Sequence, residues 1–190
     1  MEKYLNERIV GHGYRQSHDW GNIIPEIKNY TSVKYLEIGV YYGFNLFTFG
    51  YNYGVHPDSE MHCIDPWLDY DDYSEYKNKQ NTIYEGFLYN LENSGLKNKI
   101  FIHRGYSSDE IPKFENEYFD IIYVDGNHNP EYVLEDAVLS FRKLKKNGYL
   151  IFDDYTWNDT HKGIDSFCSC YHNKIKILNI HNSQMFIQKI

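Results

Sequence analysis

Three aspartates in the C-terminal half of the chain are placed as metal ligands would be. One apolar run, residues 119–124, ends at Asp125, and another, residues 148–152, ends at Asp153 and Asp154. Both runs have the composition of buried strands, and neighbouring parallel strands bring their last residues to a common rim. Three carboxylates at one rim suit a hard divalent cation, Mg²⁺ more than Zn²⁺. The alternative is that Asp125 is a turn residue and that the pair caps a loop.

Two groups at this predicted site could remove a proton from a substrate. One is Asp125 itself, and the other is His128, which follows it in the sequence Asp-Gly-Asn-His. An imidazole is neutral at pH 7 by default and can act as a general base. The alternative for His128 is a residue at a helix entry that is bonded to the backbone.

Glu37, Gly39 and Gly43 mark a second place where a ligand could bind. A short apolar run ends there, and a helical pattern begins at Phe44. A strand, a glycine turn and a helix start place backbone N–H groups against a small polar ligand. The glycines would remove Cβ atoms where the ligand comes close, and Glu37 could accept hydrogen bonds from the ligand or the loop. A dinucleotide fingerprint needs glycines at its first, third and sixth positions, and their absence disfavours NAD.

Asp65 ends the next apolar run and is predicted to hold a ribose. A carboxylate at this point can accept hydrogen bonds from both hydroxyls of the sugar, and Trp67 could flank the bound nucleoside. The turn after the third apolar run is suited to contact an adenine edge and consists of Gly105, Tyr106 and Ser107. The alternative for Asp65 is an ordinary loop acid that follows a strand.

Alternating strands and helices must position these residues. Apolar runs that end at the acids and glycines named above predict five strands, and helical spacing predicts the intervening helices. The last part of the chain alternates well enough for two closing strands. This order predicts an α/β fold of the Rossmann-like, doubly wound type with a mostly parallel sheet. The predicted helices cover residues 44–51, 75–93, 130–146 and 164–171, and the closing strands cover 174–180 and 184–190.

Composition limits the classes of partner. The chain has 190 residues, which is one domain, and a net charge of −8, which weighs against nucleic acid as a partner. No apolar run approaches the length of a membrane span. The first residues lack a secretory signal, and three cysteines do not suggest a disulfide framework, so we expect a cytoplasmic protein. Residues 1–30 are predicted to be an N-terminal arm and residues 31–190 the main domain. The arm could contribute His12, His18 or Trp20 to an acceptor site, although a surface extension packed by its aromatics is favoured.

Two motifs resemble those of known enzymes. The spacing Glu-x-Gly-x-x-x-Gly at residues 37–43 resembles the first motif of class I S-adenosylmethionine-dependent methyltransferases. The run Val-Asp-Gly-Asn-His-Asn-Pro-Glu-Tyr at 124–132 and the run Asn-Gly-Tyr-Leu-Ile-Phe-Asp-Asp-Tyr at 147–155 resemble the Mg²⁺-dependent sugar O-methyltransferases that modify macrolides and aminocoumarins. The resemblance covers about residues 33–190.

This resemblance implies S-adenosylmethionine as the cofactor and Mg²⁺ held by Asp125, Asp153 and Asp154. It also implies a seven-stranded sheet with a reversed final strand. The antibiotic enzymes have longer N-terminal and lid segments than this chain, so their acceptors are not carried over.

The expected function is therefore metal-assisted O-methylation of a small hydroxylated acceptor such as a glycan sugar. An alternative is a non-catalytic nucleoside-binding module of the same fold, and a third option is a domain that binds a nucleotide sugar. A homodimer is one option for the assembly, which the sequence does not decide.

Overall fold

A computed structural model describes residues 9–69, 76–157 and 159–190. Seven strands form one sheet in the order β3-β2-β1-β4-β5-β7-β6. All pairs from β3 to β5 are parallel, and β7 runs antiparallel to both of its neighbours. The predicted mostly parallel sheet with a reversed final strand is confirmed. The strands are β1 (Lys34–Ile38), β2 (Glu60–Ile64), β3 (Ile100–His103), β4 (Phe119–Val124), β5 (Leu144–Phe152), β6 (Ile175–His181) and β7 (Gln184–Lys189).

The order of the strands creates a switch point between β1 and β4. From β1 the chain moves outward to β2 and β3 on one side, and it then returns to β4 on the other side. Ligands of open α/β sheets bind at such a point, beyond the carboxyl ends of the strands. The predicted site residues therefore lie where this topology favours a ligand.

Helices cover both faces of the sheet and enclose two apolar clusters. Successive strand residues face opposite sides, so that in β1 Tyr35 joins one cluster and Leu36 the other. The helices α1 and α2 contribute to the Tyr35 side, and α4 and α5 contribute to the Leu36 side. The α-helices are α1 (Phe44–Asn52), α2 (Gln80–Ser94), α3 (Ser107–Glu110), α4 (Pro130–Lys143) and α5 (Thr160–Tyr171), and the 3₁₀ helices are Gln16–Asn22, Pro25–Asn29, Lys97–Lys99 and Ile111–Lys113.

Part of the predicted arm lies in the core. Trp20, Ile24 and Ile27 are at most 1% exposed and belong to the Tyr35-side cluster. The Trp20 ring lies 5.1 Å from that of Tyr123, and its indole N–H donates to Gln184 Oε1 at 2.9 Å. Because Trp20 is enclosed by protein, it has no surface to offer an acceptor.

Three predicted helices differ from the structure by three residues or more. The helix predicted from residue 164 begins at Thr160. The helix predicted to extend to residue 146 ends at Lys143, and β5 begins at Leu144. Asn147 has a left-handed φ of 63°, and the β4–β5 register shifts between Phe119 and Ile121, so the strand starts before this irregularity. The helix predicted from residue 75 begins at Gln80, and residue 75 lies outside the described residues. Among the residues that are described, no helix is both long and apolar enough to cross a membrane.

Candidate functional site

The backbone at the sheet's carboxyl edge fixes the positions of the rim residues. The ladder of hydrogen bonds continues past the strands, so that Asp125 N donates to Ile38 O at 2.8 Å and Asp153 N to Val124 O at 3.0 Å. On the other side, Asp65 N donates to His103 O at 3.3 Å. These bonds extend the order of the sheet by one residue per strand, which places the acids following β2, β4 and β5 on one rim.

Asp125, His128 and Asp154 form one cluster on this rim. His128 Nε2 lies 2.9 Å from Asp154 Oδ2 and 4.0 Å from Asp125 Oδ1, and one ligand atom from each residue lies within 4.8 Å of the others. Their side chains are 19% to 32% exposed. Atoms bound to one metal ion by bonds of about 2.1 Å are separated by roughly 3–4 Å, so this cluster has the dimensions of an ion site.

Asp153 does not join the cluster in the way the sequence predicted. Its Oδ2 accepts a hydrogen bond from the Tyr123 hydroxyl at 2.5 Å, and the residue is 7% exposed. Consecutive residues of an extended chain face opposite sides, and Asp154 adopts a left-handed φ of 52°. The structure brings His128, and not Asp153, close to both Asp125 and Asp154, while Asp153 lines the same cavity as Asp125 and His128. The predicted metal ligands Asp125, Asp153 and Asp154 therefore stay a prediction, and His128 is a further candidate.

Two buried oxygens near the cluster have no hydrogen-bond partner among the described residues. They are Asp153 Oδ1 and Thr160 Oγ1. Both residues line one small cavity together with Asp125 and His128. Buried polar atoms are nearly always satisfied, by ordered water or an ion where protein does not supply a partner. Val124, Val133 and Phe152 make much of the lining apolar, so these two oxygens and the polar atoms of Asp125 and His128 are where a water molecule or a cation could bind.

Burial and, after it, mutual repulsion raise the pKa values of the carboxyl groups on the β4–β5 side of the rim. The pKa of Asp125 is raised well above its usual value, first by burial and then by the negative charges of Asp153 and Asp154. The pKa of Asp153 is also raised, with burial again the largest cause. Nearby carboxylates disfavour one another's ionised forms. A bound cation would reverse this effect, because its positive charge stabilises ionised carboxylates.

Glu37 is inside the protein. It is 1% exposed, and its Oε2 accepts hydrogen bonds from the Tyr35 hydroxyl at 2.6 Å and from Asn45 Nδ2 at 3.0 Å. Burial raises its pKa to about 8 despite these bonds. Since Glu37 lies within β1 and not at its end, its side chain points to a face of the sheet. In this structure Glu37 joins β1 to the start of α1, and its contact with the cofactor stays a prediction.

Asp65 holds the glycine turn through the backbone. Its Oδ2 accepts from the N–H groups of Val40 at 2.9 Å and Tyr41 at 3.0 Å, and its Oδ1 accepts from that of Trp67 at 2.7 Å. Burial raises the pKa of Asp65, and these bonds oppose that shift. A carboxylate has about four lone-pair sites, so these bonds leave about one. This geometry leaves room for a hydrogen bond from one ribose hydroxyl, not the two that were expected.

Trp67 is buried and contacts the same glycine turn. It is 1% exposed, and its ring lies 4.7 Å from that of Tyr84 and 5.0 Å from that of Phe87. Its indole N–H donates to the Tyr41 carbonyl oxygen at 3.1 Å. The prediction that Trp67 flanks a nucleoside is corrected, because neighbouring protein groups cover both the ring and its donor.

Gly39 and Gly43 are needed for packing within the turn. Both have left-handed backbone conformations, with φ of 81° and 84°. A Cβ on Gly39 would lie 1.8 Å from the carbonyl oxygen of Asp125, and one on Gly43 would lie 2.7 Å from the Phe47 ring. The space that the sequence assigned to a ligand is therefore occupied by protein on the Cβ side. Binding by backbone N–H groups of the turn stays a prediction.

The turn after β3 contains a contact that the sequence analysis missed. Ser107 bonds to the carboxyl group of Asp136, which is 3% exposed and whose pKa is raised to about 7, chiefly by burial. Asp136 lies one residue before Ala137 and three after Val133 on the buried face of α4. An acid on the otherwise apolar face of a helix is the sequence feature that could have revealed this contact. Tyr106 is 55% exposed, and the roles of Gly105, Tyr106 and Ser107 toward adenine stay predictions.

Comparisons with known proteins identify the family. A sequence-family model described as "Methyltransferase domain" matches residues 36–155. An O-methyltransferase from Bacillus cereus, solved in complex with SAH, has a TM-score of 0.66 at 12% identity, covering 100% of this chain and 89% of that one. The methyltransferase PaMTH1 from Podospora anserina, solved with SAH bound, has a TM-score of 0.64 at 18% identity, covering 94% of this chain and 80% of that one. At these identities the structures show a shared fold.

A relative by sequence is an uncharacterized protein of Acanthamoeba polyphaga mimivirus. It is 29% identical over 160 residues, which cover 80% of this chain. The chain spans 65% of the length of that protein. The family match covers more than half of the chain and includes the glycine turn, Asp65, Asp125, His128 and Asp154. The chain is a member of the methyltransferase-domain family.

Proposed function

We propose that this protein transfers the methyl group of S-adenosylmethionine to a hydroxyl oxygen of a small acceptor, such as a glycan sugar, with help from a divalent cation. The observation that carries the proposal is the Asp125–His128–Asp154 cluster. It lies at the switch point of a methyltransferase-domain fold, on the same rim as the glycine turn. Two solved proteins of the same fold contain SAH, the product that S-adenosylmethionine leaves after methyl transfer.

The cofactor would occupy the β1–β2–β4 part of the rim. Asp65 would accept a hydrogen bond from one ribose hydroxyl through its remaining lone pair, while its other bonds keep the glycine turn in place. The turn of Gly105, Tyr106 and Ser107 would contact the adenine edge. S-adenosylmethionine brings an already activated methyl group, so the protein must mainly align the acceptor oxygen with it.

The acidic cluster would serve the acceptor. The residues present fit a cation, because three ligand atoms converge and a cavity with two unsatisfied buried oxygens lies beside them. A divalent ion would orient two neighbouring hydroxyls and lower the pKa of the one that reacts. Asp125 or His128 would take the proton from that hydroxyl.

Trp157 supports an acceptor with an apolar face, such as a sugar ring. It is 41% exposed, and its ring lies 4.7 Å from that of His128 at 74°. Its N–H in the backbone donates to Asp154 O at 2.9 Å, which ties its position to the cluster. An exposed indole beside carboxylates offers a flat apolar surface next to polar groups, a combination found in ligand sites with few polar contacts.

Methyl transfer can be tested directly. The protein is incubated with S-adenosylmethionine carrying a labelled methyl group and a panel of sugars and catechols with adjacent hydroxyls, with Mg²⁺ or Mn²⁺ and with EDTA. We expect labelled product that depends on the ion, and mass spectrometry would locate the methyl group on oxygen. SAH binding without transfer to any acceptor would favour a non-catalytic nucleoside-binding module. Transfer that EDTA does not reduce would refute the role of the cation.

A further inference from the structure

The donor set of the cluster differs from the all-carboxylate set that the sequence suggested. Asp153 Oδ2 accepts from the Tyr123 hydroxyl, and the three residues whose ligand atoms lie within 4.8 Å of one another are Asp125, His128 and Asp154. The cluster therefore offers two carboxylate oxygens and one imidazole nitrogen. This change of ligand type alters which ion the site should select.

A second observation, independent of the acids, points to a ligand here. The Thr160 side chain is 97% buried, since the residue is 3% exposed, and its hydroxyl has no hydrogen-bond partner in the described part of the chain. It lines the same cavity as Asp125 and His128. Asp153, whose Oδ1 is also buried and unsatisfied, lines the same cavity. Buried polar atoms of this kind are usually satisfied by ordered water or an ion.

The His128 ring is held in a position suited to coordination. Its Nε2 is the atom that points to both carboxylates, at 2.9 Å from Asp154 and 4.0 Å from Asp125. The Trp157 ring packs against it nearly at right angles, which restricts rotation of the imidazole. An imidazole nitrogen must be unprotonated to coordinate a metal, so the proton of the neutral ring would sit on Nδ1.

We propose that Asp125, His128 and Asp154 bind a divalent transition-metal ion such as Mn²⁺, Fe²⁺ or Co²⁺ in preference to Mg²⁺, with His128 as a direct ligand. The inference rests on the proposed metal site but not on methyl transfer. Mg²⁺ is bound by oxygen ligands and keeps several waters, whereas imidazole suits first-row transition ions. If Nε2 binds the ion, that atom is not available as the general base, which leaves a carboxylate or solvent to take the proton.

The test uses Mn²⁺ as the probe, because its electron spin reports on directly bound nitrogen. We expect pulsed electron paramagnetic resonance of the Mn²⁺-loaded protein to show coupling to one imidazole nitrogen. Calorimetry should give a dissociation constant at least about tenfold lower for Mn²⁺ than for Mg²⁺. His128→Gln should remove the nitrogen coupling and weaken Mn²⁺ binding at least tenfold, while Mg²⁺ binding changes about threefold or less.

A matched control is His172→Gln. His172 is exposed after the end of α5, where its Nδ1 contacts the Ser169 carbonyl oxygen at 2.9 Å. This variant should bind Mn²⁺ and show nitrogen coupling like the parent. Circular dichroism of both variants would show that they are folded, so that lost binding is assigned to the ligand.

Three results would overturn the inference. Mn²⁺ binding without nitrogen coupling would show that His128 is not a ligand, while leaving a metal site and the proposed function standing. Equal affinity for Mg²⁺ and Mn²⁺ would refute the selectivity. Binding of neither ion would refute the site itself, and labelled methyl transfer measured on the same protein would then show whether the proposed enzyme activity survives without it.

Discussion

The acids on the two halves of the rim have different hydrogen-bond partners. On the glycine-turn side, Glu37 and Asp65 accept hydrogen bonds from hydroxyl, amide and backbone donors of the protein. On the β4–β5 side, Asp125 and Asp154 face one another and His128, and a neighbouring acid keeps an unsatisfied oxygen. The first half is complete as folded, whereas the second has negative charge for which the described residues offer no lysine or arginine partner.

This difference separates structural acids from functional ones. A buried acid that is matched by donors stabilises the fold, and removing it leaves those donors without a partner. Acids gathered against one another destabilise the fold unless a cation binds. Substitutions on the two sides should therefore move stability in opposite directions, and the following predictions test that contrast from the largest effect to the smallest.

Gly39→Ala should destabilise the protein by at least about 4 kcal/mol, because its Cβ would collide with the Asp125 backbone at a positive φ. The comparison is Gly95→Ala, which also has a positive φ of 72° but meets nothing within 4 Å. That variant should lose only about 1 kcal/mol. Urea unfolding of both proteins measures the difference, and equal losses would show that the close approach of the two halves is not tight.

Asp154→Asn should reduce methyl transfer by about 10²–10³-fold, since it removes one charged ligand from the cluster. In EDTA the same variant should unfold at the same temperature as the parent or a higher one, because a source of repulsion is gone. Initial rates and calorimetric melting check the two expectations. A clear loss of stability in EDTA would place Asp154 among the structural acids.

Asp65→Ala should destabilise the fold by about 2–4 kcal/mol and weaken S-adenosylmethionine binding, because three backbone N–H groups lose their acceptor. Asp69→Ala is the matched control. Asp69 is exposed, and its partner among the described residues is the Asn78 N–H, so its loss should be below about 1 kcal/mol. If Asp65→Ala is as stable as the parent but fails to bind the cofactor, Asp65 serves the ligand and not the turn.

A pair of histidines on β2 and β3 gives the smallest effect. His62 Nδ1 lies 3.0 Å from His103 Nε2, and burial lowers the pKa of His62 to about 4. Unfolding restores an ordinary pKa of about 6.5, so the unfolded chain binds more protons between pH 6.5 and 4. The contribution of His62 to stability should therefore fall by about 1–3 kcal/mol as the pH drops through this window, whereas the raised pKa values of Glu37 and Asp136 act in the opposite direction.

His62→Gln should remove the His62 contribution, so that the variant loses less stability, or gains more, than the parent as the pH drops through that window. His172→Gln should keep it, because His172 is exposed. Denaturant-induced unfolding at pH 7, 6 and 5 would provide the measurement. The pH is kept at 5 or above so that Glu60, whose pKa is lowered to about 2, stays ionised in the folded protein. An unchanged slope in His62→Gln would assign the acid sensitivity to other groups.

The fold was predictable because an acidic residue directly follows several of the apolar strands. Apolar runs that end at Asp65, Asp125 and Asp153 gave the strand ends, and their alternation with helices gave the layers. The end of the helix at Lys143 was missed, because the lysines that follow it suit a helix C-terminus as well as an exposed strand.

The sequence predicted which residues lie near the candidate site better than it predicted the directions of their side chains. The sequence predicted that Asp125, Asp153 and Asp154 lie at one rim with His128 beside Asp125, and in the structure Asp125, His128 and Asp154 have ligand atoms within 4.8 Å of one another. It did not show that Asp153 faces the interior, because the left-handed turn at Asp154 depends on tertiary contacts. The buried states of Glu37 and Trp67 were missed for a similar reason, since residue type alone does not reveal which protein donors or rings reach a side chain.

The most direct test of the contrast between the two halves is the unfolding temperature of the metal-free protein titrated with Mn²⁺. An ion that binds only the folded state raises this temperature as its concentration exceeds its dissociation constant. We predict a rise that grows with Mn²⁺ concentration in the parent protein and is absent in Asp125→Asn. An unfolding temperature that Mn²⁺ and Mg²⁺ leave unchanged in the parent would contradict the account, because the acidic rim would then be complete without a cation.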